Sequence, residues 1–130
     1  MEVIQKLKKL GILGDDSEGY ISHLIDNNFL HEKRFSESYV RGKFHNNSWG
    51  KIKIIKELKS RKISLANINN GLSEINDKDY IEKLRVLSNK IIKESIGQPK
   101  EKLKEKLFNR LEYKGWEKEL IFEEINRLIN

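Results

Sequence analysis

Few residues of this 130-residue chain have the types and spacing that catalysis or metal binding requires. Cysteine is absent, which excludes a thiolate nucleophile and a cysteine-based zinc site. The histidines stand singly, without the spacing of a metal site: His23, His31 and His45. No glycine-rich phosphate loop is present, and Asp15-Asp16 is better explained as an acidic helix start than as a catalytic pair. We therefore predict a binding protein rather than an enzyme, with no metal ion and no cofactor.

The residues with an evident binding chemistry are the lysines and arginines of residues 31–62. This segment carries ten basic and three acidic residues, a net charge of +7, whereas the rest of the chain carries 16 basic and 17 acidic residues, a net charge of −1. Such a concentration of positive charge attracts nucleic acid or an acidic face of a protein. From the charge alone, a solvated surface and a partner-binding surface are equally acceptable interpretations.

The composition indicates which elements must position these charges. Apolar residues make up 37% and charged residues 35% of the chain, with one proline, which favours amphipathic α-helices. No apolar run approaches the roughly 20 residues of a membrane span, and the N-terminal sequence MEVIQKLKKLGIL lacks a signal-peptide core. We therefore expect an all-α protein that resides in the cytoplasm and does not contact a membrane, and the absence of cysteine is compatible with that compartment.

An internal repeat organises the chain. The phrases LKKLGI (7–12), LKSRKI (58–63) and LEYKGW (111–116) align without gaps, at spacings of 51 and 53 residues. Gly115 has the position of a helix C-terminal glycine, which adopts the left-handed conformation without a steric penalty. Lys62 occupies the same position at a conformational cost. The apolar residues that follow the second and third phrases match as well, at offsets of five, nine and twelve residues.

These helical spacings predict tandem three-helix repeats that form an elongated, curved array. The predicted units are residues 1–47, 48–97 and 98–130. We expect the leading helix of the first unit, about 2–10, to be short, either because the array is capped there or because its start has been trimmed. The third unit has room for two helices, about 98–114 and 117–129. The side chains predicted to cap helices are those of Ser17, Ser48, Ser64 and Asp77.

The aromatic residues of the basic segment are interpreted first as core residues. On a helix over 31–44, Phe35 and Tyr39 lie one turn apart and are predicted to face inward. Trp49 would anchor the next helix, with base stacking as the alternative, and Gly50 would let a neighbouring helix approach closely. The predicted buried stripe of that helix consists of Ile52, Ile55 and Leu58. The predicted core of the motif consists of Phe35, Tyr39, Trp49, Gly50 and Trp116.

Four segments carry a resemblance to a known family: RFSESYVRGKF, SWGKIKIIKELKSRKIS, DYIEKL and LEYKGWEKELI. Together they resemble the RecX family, bacterial regulators of the RecA recombinase, over about residues 3–129. The matching residues of the first two segments are Arg34, Phe35, Ser38, Tyr39, Val40, Arg41, Lys43, Trp49, Gly50, Lys53, Ile54, Leu58 and Ile63. The late turn matches at Lys114, Gly115 and Trp116. Ser36 departs from the pattern, which commonly has alanine there.

The resemblance implies a regulatory protein that binds in the groove of the RecA–single-stranded DNA filament. It would negatively modulate RecA ATPase, strand exchange and co-protease activity, in DNA repair by homologous recombination and in the SOS response. The implied partners are RecA and single-stranded DNA, contacted directly or through RecA, and the chain would act as a monomer. We hypothesise that six basic residues supply much of the contact: Arg34, Arg41, Lys43, Lys51, Lys53 and Lys56.

Two other functions fit the same sequence. A stand-alone helical nucleic-acid-binding protein would bind bare nucleic acid tightly, with a steep loss of affinity in salt. A helical adaptor with some other partner would bind both RecA filaments and nucleic acid weakly. No helix-turn-helix, zinc-finger or RNA-recognition pattern supports the first of these directly.

Overall fold

The helix-forming composition produces six α-helices and no strand between residues 17 and 129, the part of the chain that the computed structural model describes, with side chains from residue 27 onwards. In chain order they are α1 (Ser17–Asn47), α2 (Lys51–Ser60), α3 (Leu65–Leu72), α4 (Asp77–Lys93), α5 (Lys100–Tyr113) and α6 (Lys118–Leu128). The all-α prediction is confirmed for these residues. The short helix predicted over 2–10 lies outside them. None of the described helices is long and apolar enough to cross a bilayer.

One continuous helix, α1, replaces two predicted ones. The sequence predicted a helix capped by Ser17 and a separate helix over 31–44, whereas the structure has an uninterrupted helix from Ser17 to Asn47. This stretch contains no proline. No N–H is therefore missing from the backbone hydrogen-bond ladder, and nothing forces the helix to stop.

Helix capping matches the prediction at α3 but not at α4. The side chain of Ser64 accepts a hydrogen bond from the backbone N–H of Asn67, as predicted. At α4 the predicted cap, Asp77, is instead the first helical residue, and Asn76 accepts from the N–H of Asp79 at 2.7 Å. Asparagine caps as well as aspartate does. The carboxylate of Asp77 then lies in the first turn, where the helix dipole favours negative charge.

Ser48 ends α1 and does not cap α2, so the prediction for this residue is wrong. Its φ angle is +56°, in the left-handed region. Its N–H still donates to the carbonyl of Phe44, which makes it the residue that closes the preceding helix. The N-cap of α2 is Gly50, which has no side chain to accept a hydrogen bond.

The predicted repeat is visible in the backbone of two turns. Lys62, after α2, has φ +61°, and Gly115, after α5, has φ +90°. In both turns the N–H of the left-handed residue donates to the carbonyl three residues earlier, at 2.9 Å. The N–H of the next residue donates to the carbonyl five residues earlier, at 3.1 Å. These paired hydrogen bonds define a Schellman motif, so both predictions for the left-handed positions are confirmed.

A continuous apolar core runs through α1 to α6. Its buried members are Val40, Phe44, Ile54, Leu58, Ile68, Ile75, Tyr80, Leu84, Ile91, Leu107, Leu111, Trp116, Ile121 and Ile125. A stack of three aromatic rings joins the first three helices to the last three: Phe44 lies 5.9 Å from Tyr80, and Tyr80 lies 4.5 Å from Trp116, between ring centroids. The predicted burial of Trp116 agrees with its 1% exposure.

Two predicted core residues lie at the surface. Phe35 is 43% exposed because α1 buries the neighbouring series Ser36, Val40 and Phe44 at four-residue spacing, which leaves Phe35 at the edge. Ile52 is 50% exposed because α2 turns Ile54 inward, and a residue two positions away lies on the far side of a helix.

The start of α2 rests directly on the turn between α5 and α6. The N–H of Gly50 donates to the carbonyl of Lys114 at 2.8 Å, and the N–H of Ile52 donates to the carbonyl of Gly115 at 3.0 Å. A Cβ atom on Gly50 would lie 2.4 Å from the Gly115 carbonyl oxygen, and one on Gly115 would lie 2.2 Å from Cβ of Lys53. The predicted close approach at Gly50 is confirmed, although its neighbour is a turn rather than a helix.

Candidate functional site

The close contact between Gly50 and Gly115 brings aromatic and basic side chains from distant segments together. We call this set the aromatic-basic cluster, and it consists of Tyr39, Lys43, Trp49, Lys53, Arg61 and Tyr113. Helix α1 supplies the first two, one turn apart, and Trp49 follows the end of α1. Helix α2 supplies Lys53 and, at its C-terminal cap, Arg61. Tyr113 is the last residue of α5.

The aromatic rings of the cluster lie side by side. The ring centroids of Tyr39 and Trp49 are 6.3 Å apart, with an interplanar angle of 70°, an edge-to-face arrangement. Phe35 extends the row, with its ring 5.6 Å from that of Tyr39. Tyr113 is 75% exposed, so most of its ring surface faces solvent.

The cations of the cluster lie over these rings. The Lys53 ammonium is 4.7 Å from the centroid of Trp49 and 4.2 Å from that of Tyr113. The Lys43 ammonium is 4.9 Å from Trp49 and 5.5 Å from Tyr39. Arg61 covers Tyr39 at 5.1 Å. Cation–π contacts at exposed sites are worth about 0.5–1 kcal/mol each. They hold the charges in place while leaving N–H donors for an external anion.

Further positive charge adjoins the cluster at the turn after α5. The Lys114 ammonium donates to the carbonyl of Asn47 at 2.8 Å, at the C-terminal end of α1, where the helix dipole favours a cation. Partial burial, together with the positive charges of Lys53, Arg110 and Lys90, lowers the pKa of Lys114 from its ordinary value. These three cations belong to α2, α5 and α4, so positive charge from three helices lies near this turn.

The predicted contact residues occupy several places rather than one face. Lys43 and Lys53 belong to the cluster. Lys51 lies nearby, with its ammonium 4.6 Å from the centroid of the Tyr80 ring. Lys56 is exposed on α2, three residues beyond Lys53.

Arg34 and Arg41 lie away from the cluster. They are seven residues apart on α1 and share a face, whereas Lys43 is two residues beyond Arg41 and so about 200° around the helix. The guanidinium of Arg41 forms a salt bridge with the carboxylate of Glu74, with a nitrogen–oxygen distance of 3.4 Å. The six predicted residues therefore do not form one surface.

Sequence reasoning missed Arg61, Tyr113 and Lys114 as members or neighbours of the basic surface. A signal was present, because the 53-residue repeat places Lys114 at the position that corresponds to Arg61. The contact that brings α5 to α2 has no such signal. It depends on how the turn at Gly115 packs against Gly50, and this is a tertiary property.

A hydrogen-bonded layer lies beneath the cluster. The hydroxyl of Tyr80 accepts from the backbone N–H of Lys51 at 2.8 Å and donates to the carboxylate of Glu117. Burial of Tyr80, reinforced by its hydrogen bond to Glu117, raises the pKa of its hydroxyl. The indole N–H of Trp116 donates to the carbonyl of Ser48 at 3.0 Å. These hydrogen bonds connect the start of α2 to α4 and to the start of α6. They thereby hold in place the backbone that carries Trp49 and Lys53.

Nothing in the described part of the chain offers a metal site. No group of three histidine, aspartate or glutamate side chains between residues 27 and 129 is placed to hold a metal ion. The side chains of Asp15, Asp16 and His23 lie outside the described residues. The chemistry available at the cluster is recognition of anions and of flat apolar surfaces.

Part of the chain is similar to a described domain type. The family model for the second three-helix domain of RecX matches residues 32–72, which contain the C-terminal half of α1 together with α2 and α3. The match crosses the predicted boundary between residues 47 and 48. The division of the chain into units at that boundary stays a prediction.

Individual relatives carry the same name. The chain is 27% identical over 121 residues to "Regulatory protein RecX" of Lactobacillus johnsonii, a match that covers 92% of this chain and 44% of the relative. It is 25% identical over 130 residues to the protein of that name from Clostridioides difficile, covering 97% and 61%. The crystal structure of RecX from Lactobacillus salivarius superposes with a TM-score of 0.71 at 28% identity, covering 98% of this chain and 82% of that one. The chain spans about half the length of the curated relatives that it matches.

Proposed function

Because the chain belongs to the RecX family of regulatory proteins, we propose that it binds the RecA–single-stranded DNA filament and negatively modulates RecA. The modulation would reduce ATPase, strand exchange and co-protease activity, and so affect DNA repair and the SOS response. The partner is then a cytoplasmic filament, which the chain binds as a monomer, without an enzymatic activity or a cofactor of its own.

The aromatic-basic cluster is the observation that supports this proposal most strongly. It gathers Lys43, Lys53 and Arg61 over three aromatic rings, with Lys114 beside them. A surface of this kind suits a filament that exposes phosphates and acidic side chains. Since residues of α1, α2 and α5 build it jointly, the surface depends on the folded arrangement rather than on any single segment.

The test is the ATPase activity of RecA on single-stranded DNA, measured as this chain is titrated in. The double variant Lys43→Glu with Lys53→Glu should need roughly tenfold more protein for the same inhibition, because it reverses two charges at the proposed contact. The matched control is Lys100→Glu with Lys102→Glu, which makes the same change in net charge. These two exposed residues lie in the first turn of α5, about 20 Å along the helix from Tyr113.

The outcomes separate the proposal from a general effect of charge. If the cluster variant loses inhibition and the control keeps it, the cluster is the contact surface. If both variants inhibit as the parent does while remaining folded by circular dichroism, the cluster is not the contact. If the parent leaves the ATPase unchanged and does not bind the filament, the chain is not a RecA modulator.

The stand-alone nucleic-acid-binding function remains the second candidate, because exposed aromatic rings beside cations also suit a bare strand. It predicts equal affinity for DNA with and without RecA. Inhibition of the ATPase would then occur only at protein concentrations that displace RecA from the strand.

A further inference from the structure

The exposure of Tyr113 is greater than a purely charged contact requires, whereas Tyr39 and Trp49 are partly buried against the core. Tyr113 is 75% exposed, and its described contacts are with the ammonium of Lys53. A tyrosine placed this way contributes little to the core. Large exposed aromatic side chains beside cations are a feature of surfaces that bind nucleic acid strands and other flat ligands.

Lys53 contacts the rings of both Trp49 and Tyr113. Its ammonium lies 4.7 Å from the centroid of Trp49 and 4.2 Å from that of Tyr113. Both distances share the same nitrogen atom, so the two ring centroids lie no more than about 9 Å apart. An anion bound at this ammonium would therefore lie close to both aromatic rings.

The surroundings hold Trp49 in place. Its backbone N–H donates to the carbonyl of Lys43 at 3.2 Å, and its ring meets the edge of Tyr39. The preceding carbonyl, of Ser48, is fixed by the indole of Trp116. A ring that is ordered before binding loses little conformational entropy when a ligand stacks on it.

We propose that the aromatic-basic cluster binds single-stranded nucleic acid, with bases stacked on Trp49 and Tyr113 and phosphates held by Lys43, Lys53 and Arg61. The inference deepens the proposed function and rests on it for the biological setting, but it concerns the bare strand and needs no RecA. A duplex is excluded as the preferred ligand because its bases are already stacked on each other. An acidic protein segment would use the cations but would gain nothing from the exposed ring of Tyr113.

The test is fluorescence anisotropy of a labelled oligothymidylate of about 20 nucleotides, titrated with the chain without RecA. Tyr113→Ala should weaken binding by roughly 5- to 150-fold, the range that one base–aromatic stacking contact supplies. Tyr113→Phe keeps the ring and should bind as the parent does. The matched control is Phe122→Ala, which removes an aromatic side chain that is 53% exposed on α6, outside the cluster, and should leave the affinity unchanged.

Salt dependence distinguishes the two kinds of contact. Lys53→Gln should reduce the slope of log affinity against log salt by about 0.7, the value for one phosphate contact with a single strand. Tyr113→Ala should lower the affinity at every salt concentration without changing the slope. A duplex of the same length should bind more weakly than the single strand and should be insensitive to Tyr113→Ala.

Two results would overturn the inference. If Tyr113→Ala binds oligothymidylate as tightly as the parent while Lys53→Gln is impaired, the surface recognises charge alone. Competition by polyglutamate at the same charge concentration as the oligonucleotide would then identify an acidic protein face as the better ligand. If the parent binds single and double strands equally, stacking is not the mode of binding. Neither result would affect the RecA ATPase test, which can succeed or fail independently.

Discussion

Gly50 and Gly115 meet backbone against backbone, and this contact fixes the position of α2 on the turn that follows α5. A Cβ atom added to either glycine would come within 2.4 Å of an atom of the opposite segment. The contact also sets Lys53 beside Tyr113, because Cβ of Lys53 lies where a side chain on Gly115 would begin. The candidate binding surface therefore depends on two residues that have no side chains.

The first prediction concerns this contact. Gly50→Ala should lower the free energy of unfolding by about 1–3 kcal/mol, because the added methyl group would overlap backbone atoms that cannot move aside easily. Equilibrium urea denaturation followed by circular dichroism measures the change. The control is Gly42→Ala in α1, where a Cβ meets nothing within 4 Å. That change should stabilise the protein by about 0.5–1 kcal/mol through helix propensity. Equal effects of the two substitutions would contradict the account of the contact.

The second prediction concerns the left-handed turn after α2. Lys62→Gly should raise the free energy of unfolding by about 1 kcal/mol, because glycine adopts φ +61° without the penalty that a Cβ brings. Lys59→Gly, within α2, should lower it by about 1 kcal/mol. Thermal or urea unfolding of the two variants shows whether each change stabilises or destabilises the protein. A loss of stability in Lys62→Gly would show that the turn is not strained.

The third prediction concerns the layer beneath the cluster. Tyr80→Phe removes a hydroxyl that accepts from the N–H of Lys51 and donates to Glu117, so it leaves a partly buried donor and acceptor without their partner. We expect a loss of about 1–3 kcal/mol in urea denaturation. Tyr113→Phe is the comparison, since Tyr113 is largely exposed and should change stability by less than about 0.5 kcal/mol. Stability equal to that of the parent would mean that the hydrogen bonds of the Tyr80 hydroxyl to Lys51 and Glu117 do not stabilise the fold.

The fourth prediction is a pH dependence of stability at Glu32. Partial burial opposes ionisation of this carboxyl, but hydrogen bonds from Ser64 and Asn67 outweigh it and lower the pKa below the ordinary 4.5. A carboxyl with a lowered pKa in the folded state stabilises the fold fully above its unfolded pKa. That contribution is lost as the pH falls below 4.5 and through the folded pKa.

Glu32→Gln should therefore be less stable than the parent at pH 7, and the difference should shrink as the pH falls below 4.5. Thermal unfolding at a series of pH values measures this. Glu82→Gln, an exposed position on α4, should leave the pH profile of the parent unchanged. A constant difference between Glu32→Gln and the parent at all pH values would exclude the ionised carboxylate as the stabilising group.

Local patterns predicted most of the secondary structure, and the misses have physical causes. The left-handed positions of Lys62 and Gly115 and the cap at Ser64 follow from short-range sequence and are confirmed. Phe35 and Ile52 were predicted as core because apolar residues at helical spacing define a face. In the structure the buried residues are instead Ser36, one position after Phe35, and Ile54, two positions after Ile52. Which of these faces is buried depends on where the neighbouring helices pack.

The candidate site was predictable only in part. The positive charge of residues 31–62 located Lys43 and Lys53, but their common position over Trp49 is a tertiary feature. Tyr113 joins them only because α5 ends against α2. Charge counting along the sequence could not separate these residues from Arg34 and Arg41, which lie about 200° away from Lys43 on α1.

The central claim is that this chain recognises the RecA filament. The most direct measurement is the binding of the fluorescently labelled chain to RecA assembled on single-stranded DNA with a slowly hydrolysed ATP analogue, compared with the bare strand, at about 0.15 M salt. We predict affinity for the filament at least roughly tenfold above that for the bare strand, and a loss of that difference in the Lys43→Glu, Lys53→Glu variant. Equal affinity for the filament and the bare strand would contradict the claim and would leave a helical protein that binds nucleic acid on its own.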